Sequence, residues 1–282
     1  MKVVLFCGGQ GLRMRSGVDD LPKPMVTLGT RPILWHLMKY YAHFGHTDFI
    51  LCLGYKGTTI KNFFATYQEW ISNDFVLSNG GRSMELLQRD TDDWRVTLID
   101  TGLDASIGER LLAVRPLLEN EPAFLANYSD GLTDCPLPAV INELDRTGAV
   151  GSFMIVRPNI SLHFVNRGPN GLVTGLVDAE QAGSWINAGF FAFRPEVFDY
   201  MRPGEDLVIE PFARLISEQK LAAVPYEGFW RCCDTFKDYQ TLETLQARGP
   251  APWEVWRRPL PNLGAEVPTA TVEALKPRRL VS

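Results

Sequence analysis

Four short segments carry the charge and backbone freedom that polyphosphate chemistry needs. The apolar run Val3–Cys7 ends in Gly8-Gly9-Gln10-Gly11-Leu12-Arg13-Met14. Glycines directly after a strand let backbone N–H groups turn inward and approach an anion closely. Arg13, and Lys23 in Pro22-Lys23-Pro24-Met25-Val26, supply the positive charge a polyphosphate requires. Two acids lie far downstream: Asp130 in Tyr128-Ser129-Asp130-Gly131 and Asp234 in Cys232-Cys233-Asp234-Thr235. Mg²⁺ takes one or two carboxylates plus substrate phosphates, so Asp130 and Asp234 suffice for a metal site if they converge. Each aspartate alone also suits a strand end or a helix N-cap. Taken with the first loop, the metal role is the favoured one.

Three nucleotide loops compete for the N-terminal segment. A P-loop needs Gly-Lys-Ser/Thr at its end, and none follows Gly11. A dinucleotide fingerprint needs a third glycine where Met14 stands and an acid after the second strand, where Gly54-Tyr55-Lys56 is found. What remains, a strand followed by the glycines, Arg13 and the Pro-Lys-Pro-Met segment, resembles the N-terminus of the sugar-nucleotide pyrophosphorylases. A bare glycine-rich turn rarely carries arginine and lysine in this way.

These residues need elements to position them. Strand patterns fall at Val3–Cys7, Phe49–Leu53, Phe75–Ser78, Val96–Ile99 and Ala123–Tyr128. Helical patterns alternate with them at Pro32–His43, Thr58–Trp70, Glu109–Leu118 and Leu137–Thr147. This alternation predicts an α/β fold, a mostly parallel Rossmann-like sheet flanked by helices with ligand loops at the carboxyl ends of its strands. The second half reads as Ser152–Arg157, a hairpin of Phe164–Asn166 and Leu172–Val177, a buried strand over Trp185–Phe193, and helices at Ile209–Gln219 and Lys237–Ala247. The pattern divides residues 1–256 into a nucleotide-binding half, 1–150, and a smaller β-rich acceptor-binding half, 151–256. Residues 257–282 read as an extended, Pro-rich and basic tail, in which Lys276-Pro277-Arg278-Arg279 suits a solvated end.

Composition narrows the function classes. The 282 residues are 45% hydrophobic and 22% charged, as in ordinary globular proteins. A net charge of −5 argues against nucleic-acid binding. The first apolar run is too short for a secretory signal, and no run reaches the roughly 20 residues of a membrane span. The expected home is the cytoplasm. The five cysteines show no zinc spacing and suit buried free thiols in a reducing compartment. His43 and His46 fall at a helix end beside Gly45 and do not suggest a metal pair.

The most specific signals are longer. PKPMV (22–26), RPILWHLMKYY (31–41), GYKG followed by IK and FF (54–64), VTLIDTG (96–102), INAGFF (186–191), EGFWRCCDT (227–235) and APWEVW (251–256) occur in order. On these segments the chain resembles the glucose-1-phosphate cytidylyltransferases, a branch of the sugar-phosphate nucleotidyltransferases, over about residues 1–256. The resemblance implies a nucleotide-diphospho-sugar transferase fold and Mg²⁺-dependent transfer of a cytidylyl group from CTP to a sugar 1-phosphate. It implies that Gly8, Gly9, Gln10 and Gly11 cradle the nucleotide, and that Arg13 and Lys23 neutralise the triphosphate and carry catalysis. By the same resemblance Arg110 and Asp130 contact nucleotide, Asp130 and Asp234 hold Mg²⁺, and Asn187 and Gly189 lie by the acceptor. Assembly into a homo-oligomer is also implied, with Trp253–Trp256 suited equally to a subunit contact or to core packing.

Departures from the family concentrate on the acceptor side. Where relatives carry Glu-Lys-Pro, this chain has Val177-Asp178-Ala179-Glu180-Gln181, without a lysine. The Arg-Phe-Gly turn is His163-Phe164-Val165, Thr-Gly-Gly-Arg is Ile107-Gly108-Glu109-Arg110, and Gly-Asp-Gly is Ser129-Asp130-Gly131. Leu12 stands where threonine is common. Three readings follow: a cytidylyltransferase making a CDP-sugar, the same chemistry on a different phosphate or phosphonate acceptor, and a non-catalytic nucleotide-binding homologue. The pattern of a kept donor half and a rewritten acceptor half favours an unusual phosphorylated acceptor.

Overall fold

The computed structural model describes residues 1–9, 21–91, 93–158, 163–178 and 183–257. The strands of the first half are β1 (Val3–Cys7), β2 (Thr27–Leu28), β3 (Arg31–Pro32), β4 (Asp48–Leu53), β5 (Phe75–Ser78), β6 (Ser83–Leu86), β7 (Arg95–Asp100), β8 (Phe124–Tyr128) and β9 (Gly131–Thr133). Those of the second half are β10 (Gly151–Val156), β11 (His163–Arg167), β12 (Val173–Asp178), β13 (Ile186–Asn187), β14 (Phe191–Phe193), β15 (Leu221–Tyr226) and β16 (Trp230–Cys232). The helices are α1 (Ile33–His43), α2 (Gly57–Ala65), α3 (Ile107–Ala113), α4 (Pro138–Thr147), α5 (Glu210–Ser217) and α6 (Phe236–Ala247).

An eight-stranded sheet runs in the order β13-β10-β14-β8-β1-β4-β7, with β15 on the other edge of β10. The pairs β1–β4, β1–β8, β4–β7 and β10–β15 are parallel, whereas β10–β13, β10–β14 and β8–β14 are antiparallel. The expected mostly parallel α/β sheet is therefore present, and the acceptor-side strands extend it. β1 sits at its centre, buried on both faces, which is why it reads as an unbroken apolar run. Val3, Leu5 and Cys7 pack into one layer with α1, while Val4 and Phe6 pack into the other with Leu111 of α3 and Phe212 of α5.

Four departures from the pattern reading bear on the sheet and on helix α2. β5 is no member of the main sheet. It pairs with β6 across Asn79-Gly80-Gly81, all at positive φ, an arrangement that Asn-Gly signals in sequence. Helix α2 stops at Ala65 instead of Trp70, because Arg31 Nη2 takes the Gln68 carbonyl at 2.8 Å and Trp35 Nε1 donates to Tyr67 Oη at 2.8 Å. The single strand expected over Trp185–Phe193 is split into β13 and β14 by Gly189 (φ +79) and Phe190 (φ +53). β15, with Pro225 on a sheet edge where its missing N–H costs nothing, is an additional strand.

Behind α1 lies an aromatic layer. Trp253, 1% exposed, stands edge-on to His36 and packs beside Phe229, so the Trp253–Trp256 segment serves the core. Burial drives the His36 pKa down to about 4, against the Leu28 carbonyl and the Glu254 carboxylate, which favour protonation. The unfolded imidazole protonates near 6.5, so neutral His36 stabilises the fold fully above that pH. The contribution is lost as pH falls from 6.5 towards 4, about 2 kcal/mol by pH 5. Denaturant titrations at pH 7.5 and pH 5 should show that loss in the native chain and a smaller one in His36→Gln; equal losses would refute the assignment.

Candidate active site

Strand pairing between β9 and β16 brings the two distant acids together. Gly131 lies opposite Cys232, and Cys233 N donates to Asp130 O at 2.9 Å, which sets Asp130 beside the turn carrying Asp234. Thr235, not Asp234, caps α6: its Oγ1 accepts from Asp238 N at 3.2 Å, while Asp238 Oδ2 accepts from Thr235 N at 2.9 Å. The Asp234 carboxylate is thereby left for other work.

Lys23 is the third member. It opens the 3₁₀ turn Lys23–Met25, where Pro22 O accepts from Met25 N at 2.8 Å, so the two prolines fix its direction. Its ammonium donates to Asp130 Oδ2 at 3.4 Å and to Asp234 Oδ1. Burial opposes the Lys23 charge, but the two carboxylates more than offset it and its pKa lies above the ordinary value. Burial raises the Asp130 pKa and the Asp234 charge adds to this, while Lys23 pulls it back. Two carboxylates already converging on one cation fit a Mg²⁺ whose other ligands come from phosphates. Among the described residues no group of three metal-ligating side chains competes for that role. The Cys232 thiol donates to Asp234 Oδ2 at 3.5 Å and is pushed up to about 12 by burial and by the Asp234 and Asp130 charges. It therefore stays protonated, and all five cysteines are free.

Of the glycine-rich loop, Gly8 and Gly9 are described, while Gln10, Gly11, Leu12 and Arg13 lie outside the described residues. Gly8 rests on Arg110. A Cβ there would come within 2.1 Å of the guanidinium, and one at Gly54 within 2.9 Å. Arg110, 3% exposed, donates to the carbonyls of Gly8, Leu53, Gly102 and Leu103 and to Thr101 Oγ1, lacing together the ends of β1, β4 and β7. The structure thus sets the Arg110 guanidinium directly against Gly8, at the start of the glycine-rich segment. Two departures from the family pattern also find their place here. Glu109 completes a capping box with Ser106 at the start of α3, and Ser129 Oγ donates to Phe6 O at 2.7 Å, away from the acids.

On the acceptor side, Asn187 Oδ1 accepts from Gly189 N at 2.9 Å and its Nδ2 donates to Tyr128 Oη at 3.3 Å. Gly189 is obligatory: besides its φ, a Cβ would stand 2.2 Å from Asn127 Oδ1. Of the altered turn, Phe164 and Val165 are about half exposed on the hairpin β11–β12. Ala179, Glu180 and Gln181 lie outside the described residues. One cation absent from the sequence reading does appear. The register Ile155↔Asn187 and Val156↔Ile186, carried one step on, sets Arg157 opposite Trp185 and on the same face as Asn187. Its guanidinium lies 3.9 Å from the Trp185 ring centroid, and Nη1 donates to Ser184 O at 3.5 Å. The signal was available: an arginine ending a strand two residues beyond the partner of Asn187.

Sequence relatives decide what this geometry belongs to. The chain is 36% identical over 262 residues to glucose-1-phosphate cytidylyltransferase of Salmonella typhi and 35% over 257 residues to that of Salmonella typhimurium. Both matches cover 91% of this chain and all of the relative. The chain belongs to the glucose-1-phosphate cytidylyltransferase family. This makes it a nucleotidyltransferase, and the family's wider kin appear at lower identity. Mannose-1-phosphate guanyltransferase of Saccharomyces cerevisiae is 26% identical over 265 residues, covering 89% of this chain and 67% of that protein. No family model matches the chain. UDP-glucose pyrophosphorylase from Acinetobacter baumannii shares the fold, with a TM-score of 0.64 at 16% identity over 91% of this chain and 96% of that one. In this cytidylyltransferase-family chain, the Lys23–Asp130–Asp234 cluster lies at the carboxyl end of the central strands, where open α/β sheets bind ligands.

Proposed function

We propose that the chain transfers a cytidylyl group from CTP to the phosphate of a sugar 1-phosphate, forming a CDP-sugar and releasing pyrophosphate. The convergence of Lys23 with Asp130 and Asp234 carries this reading, because it joins a phosphate-neutralising cation to two acids suited to Mg²⁺. Bound there, Mg²⁺ supplies Lewis-acid charge stabilisation to the phosphates. A phosphate monoester is largely dianionic near neutrality, its second pKa being about 6, so its attacking oxygen needs no general base. That oxygen bonds to the α-phosphorus as the bond to the β-phosphate oxygen breaks, and pyrophosphate leaves with the electron pair. The chain's own task is positioning and charge neutralisation. Gly8, Gly9, Gln10, Gly11 and Arg13 cradle the triphosphate, and Arg110 braces that loop at Gly8.

Asn187 and Gly189 shape the acceptor pocket, and Arg157 grips the acceptor phosphate in place of the missing lysine. A second reading, in which the acceptor is not the ordinary glucose 1-phosphate, is favoured by Arg157 on Trp185 and by the exposed Val165 in the hairpin. Among the described residues no helix is long and apolar enough to cross a membrane, and we place the enzyme in the cytoplasm. Exposed Trp70, Leu77, Met84 and Leu87 around the β5–β6 hairpin support a homo-oligomer. The test is pyrophosphate release from purified protein with Mg²⁺, each nucleoside triphosphate in turn, and a panel of sugar 1-phosphates and other phosphorylated metabolites. Release with CTP and one sugar 1-phosphate is expected. CTP binding without release from any pair would leave only a nucleotide-binding homologue.

A further inference from the structure

The segment Asn187–Phe190, where β13 gives way to β14, is tied to β10 by its backbone. Ala188 N donates to Met154 O at 3.0 Å, and Met154 N donates to Gly189 O at 3.1 Å. Towards the acids the segment is held by side chains. Asn187 Nδ2 donates to Tyr128 Oη at 3.3 Å, and Phe190 N donates to Asn127 Oδ1 at 2.9 Å, against which Gly189 also lies. Ala188 O accepts from Trp230 Nε1 at 3.0 Å. Each residue of the segment therefore touches a side chain from one of the two stretches that run into the acids. Tyr128 stands two residues before Asp130, and Trp230 four before Asp234.

Trp230 makes the longest of these ties. In the β9–β16 ladder it lies opposite Thr133, with Cys232 opposite Gly131, so Trp230 and Gly131 share one face. Gly131 leaves the indole room to cross that face: a Cβ there would already stand in contact with Trp230 Nε1, at 3.6 Å. The ring thus reaches from the residue that follows Asp130 to the carbonyl between Asn187 and Gly189. An indole has one donor and no acceptor, and here the donor is spent on that carbonyl. Trp230 is left with no hydrogen bond to offer a substrate; what it fixes is a spacing. Ala188 is 3% exposed, so water is a poor substitute for the indole there.

We propose that Trp230, together with Tyr128, is a positioning residue that sets the distance between the acids and the acceptor residues Asn187 and Gly189. This rests on the reading above, in which Asp130 and Asp234 hold Mg²⁺ with the triphosphate and Asn187 lies by the acceptor. In-line transfer needs the attacking oxygen about 3–3.5 Å from the α-phosphorus, and a misplacement of about 1 Å costs about a hundredfold. Backbone pairing between β8 and β14 begins only at Phe191, beyond the segment. Side chains therefore supply the registration that strand pairing does not. A ligand confined to one half of the site is indifferent to this spacing, and one that spans both halves is not.

The test titrates CTP, glucose 1-phosphate and CDP-glucose, each with Mg²⁺, into the full chain and into Trp230→Phe, which keeps an aromatic ring and removes the N–H. By calorimetry, CDP-glucose binding is expected to weaken about tenfold in the variant, with CTP and glucose 1-phosphate each within about twofold. In pyrophosphate release, kcat should fall about ten- to a hundredfold while both KM values stay within about threefold. Tyr128→Phe, which releases Asn187 Nδ2, should show the same split to a smaller extent, and it decides the matter where Trp230→Phe does not fold. Unchanged CDP-glucose affinity and kcat would overturn the proposal. So would equal weakening of all three ligands, the mark of a general loosening of the fold. A wild-type chain that binds CDP-glucose yet releases no pyrophosphate from any pair would instead remove the catalytic reading, and a tenfold loss of CDP-glucose binding in Trp230→Phe would still uphold the spacing.

Discussion

Asp130→Asn and Asp234→Asn are each expected to slow pyrophosphate release about a hundred- to a thousandfold at saturating CTP and Mg²⁺. Each change preserves shape and removes one negative charge from the pair that flanks Lys23. Transfer depends on charge spread over phosphate oxygens being met by fixed groups, and in the proposed reaction the acids would act through the Mg²⁺ they would hold. Residues acting as one unit lose their function together, so the double variant should be hardly slower than either single one. Folding should survive. Lys23 is left with one carboxylate, and the β9–β16 pairing that joins the two segments is made by backbone. Wild-type rates in Asp234→Asn across a Mg²⁺ titration would remove Asp234 from the site, even if Asp130→Asn were inactive.

The residues meeting at this cluster were legible in the sequence because each carries its own local signature. Lys23 lies between two prolines, Asp130 ends a buried strand, and Asp234 precedes a capping threonine. Their convergence was not legible. It depends on the short strands β9 and β16, three residues each, which have too few side chains to show a period. β15 was hidden differently, because Pro225 within Leu221–Tyr226 reads against a strand, while β5 was placed in the wrong sheet because a run of four apolar and small residues reads alike in a core or in a projecting hairpin. Only the Asn79-Gly80 turn tells them apart. Departures from the family pattern were visible as letters but not as consequences. Glu109 proves to be a helix cap and Ser129 a tie to β1, neither of which alters the acids. Arg110 was legible only as a charge, and its bonds to backbone carbonyls at the ends of β1, β4 and β7 were not.

Arg157→Ala is expected to lower kcat/KM for the acceptor by about ten- to a hundredfold, the size of one charge-assisted hydrogen bond worth about 1.5–3 kcal/mol. The loss should fall mainly on the acceptor KM, with CTP affinity unchanged, because Arg157 lies on the face of the sheet that carries Asn187, whereas the triphosphate reading rests on Gly8, Gly9 and Lys23. Arg157→Lys should recover part of the loss, since it keeps the charge but not the planar fork. Trp185→Leu tests the platform. The ring holds the guanidinium at 3.9 Å and so limits its rotamers before any substrate arrives. Its removal should raise the acceptor KM less than Arg157→Ala does and have little further effect in the Arg157→Ala background. An arginine fixed on an indole also sets its reach more narrowly than a flexible lysine. A chain that grips its acceptor this way is expected to be more selective for the distance between phosphate and sugar hydroxyls. Steady-state kinetics over the acceptor panel read this directly. An unchanged acceptor KM in Arg157→Ala would mean that the phosphate is held elsewhere, and that the stacked pair only closes the end of β10 against β13.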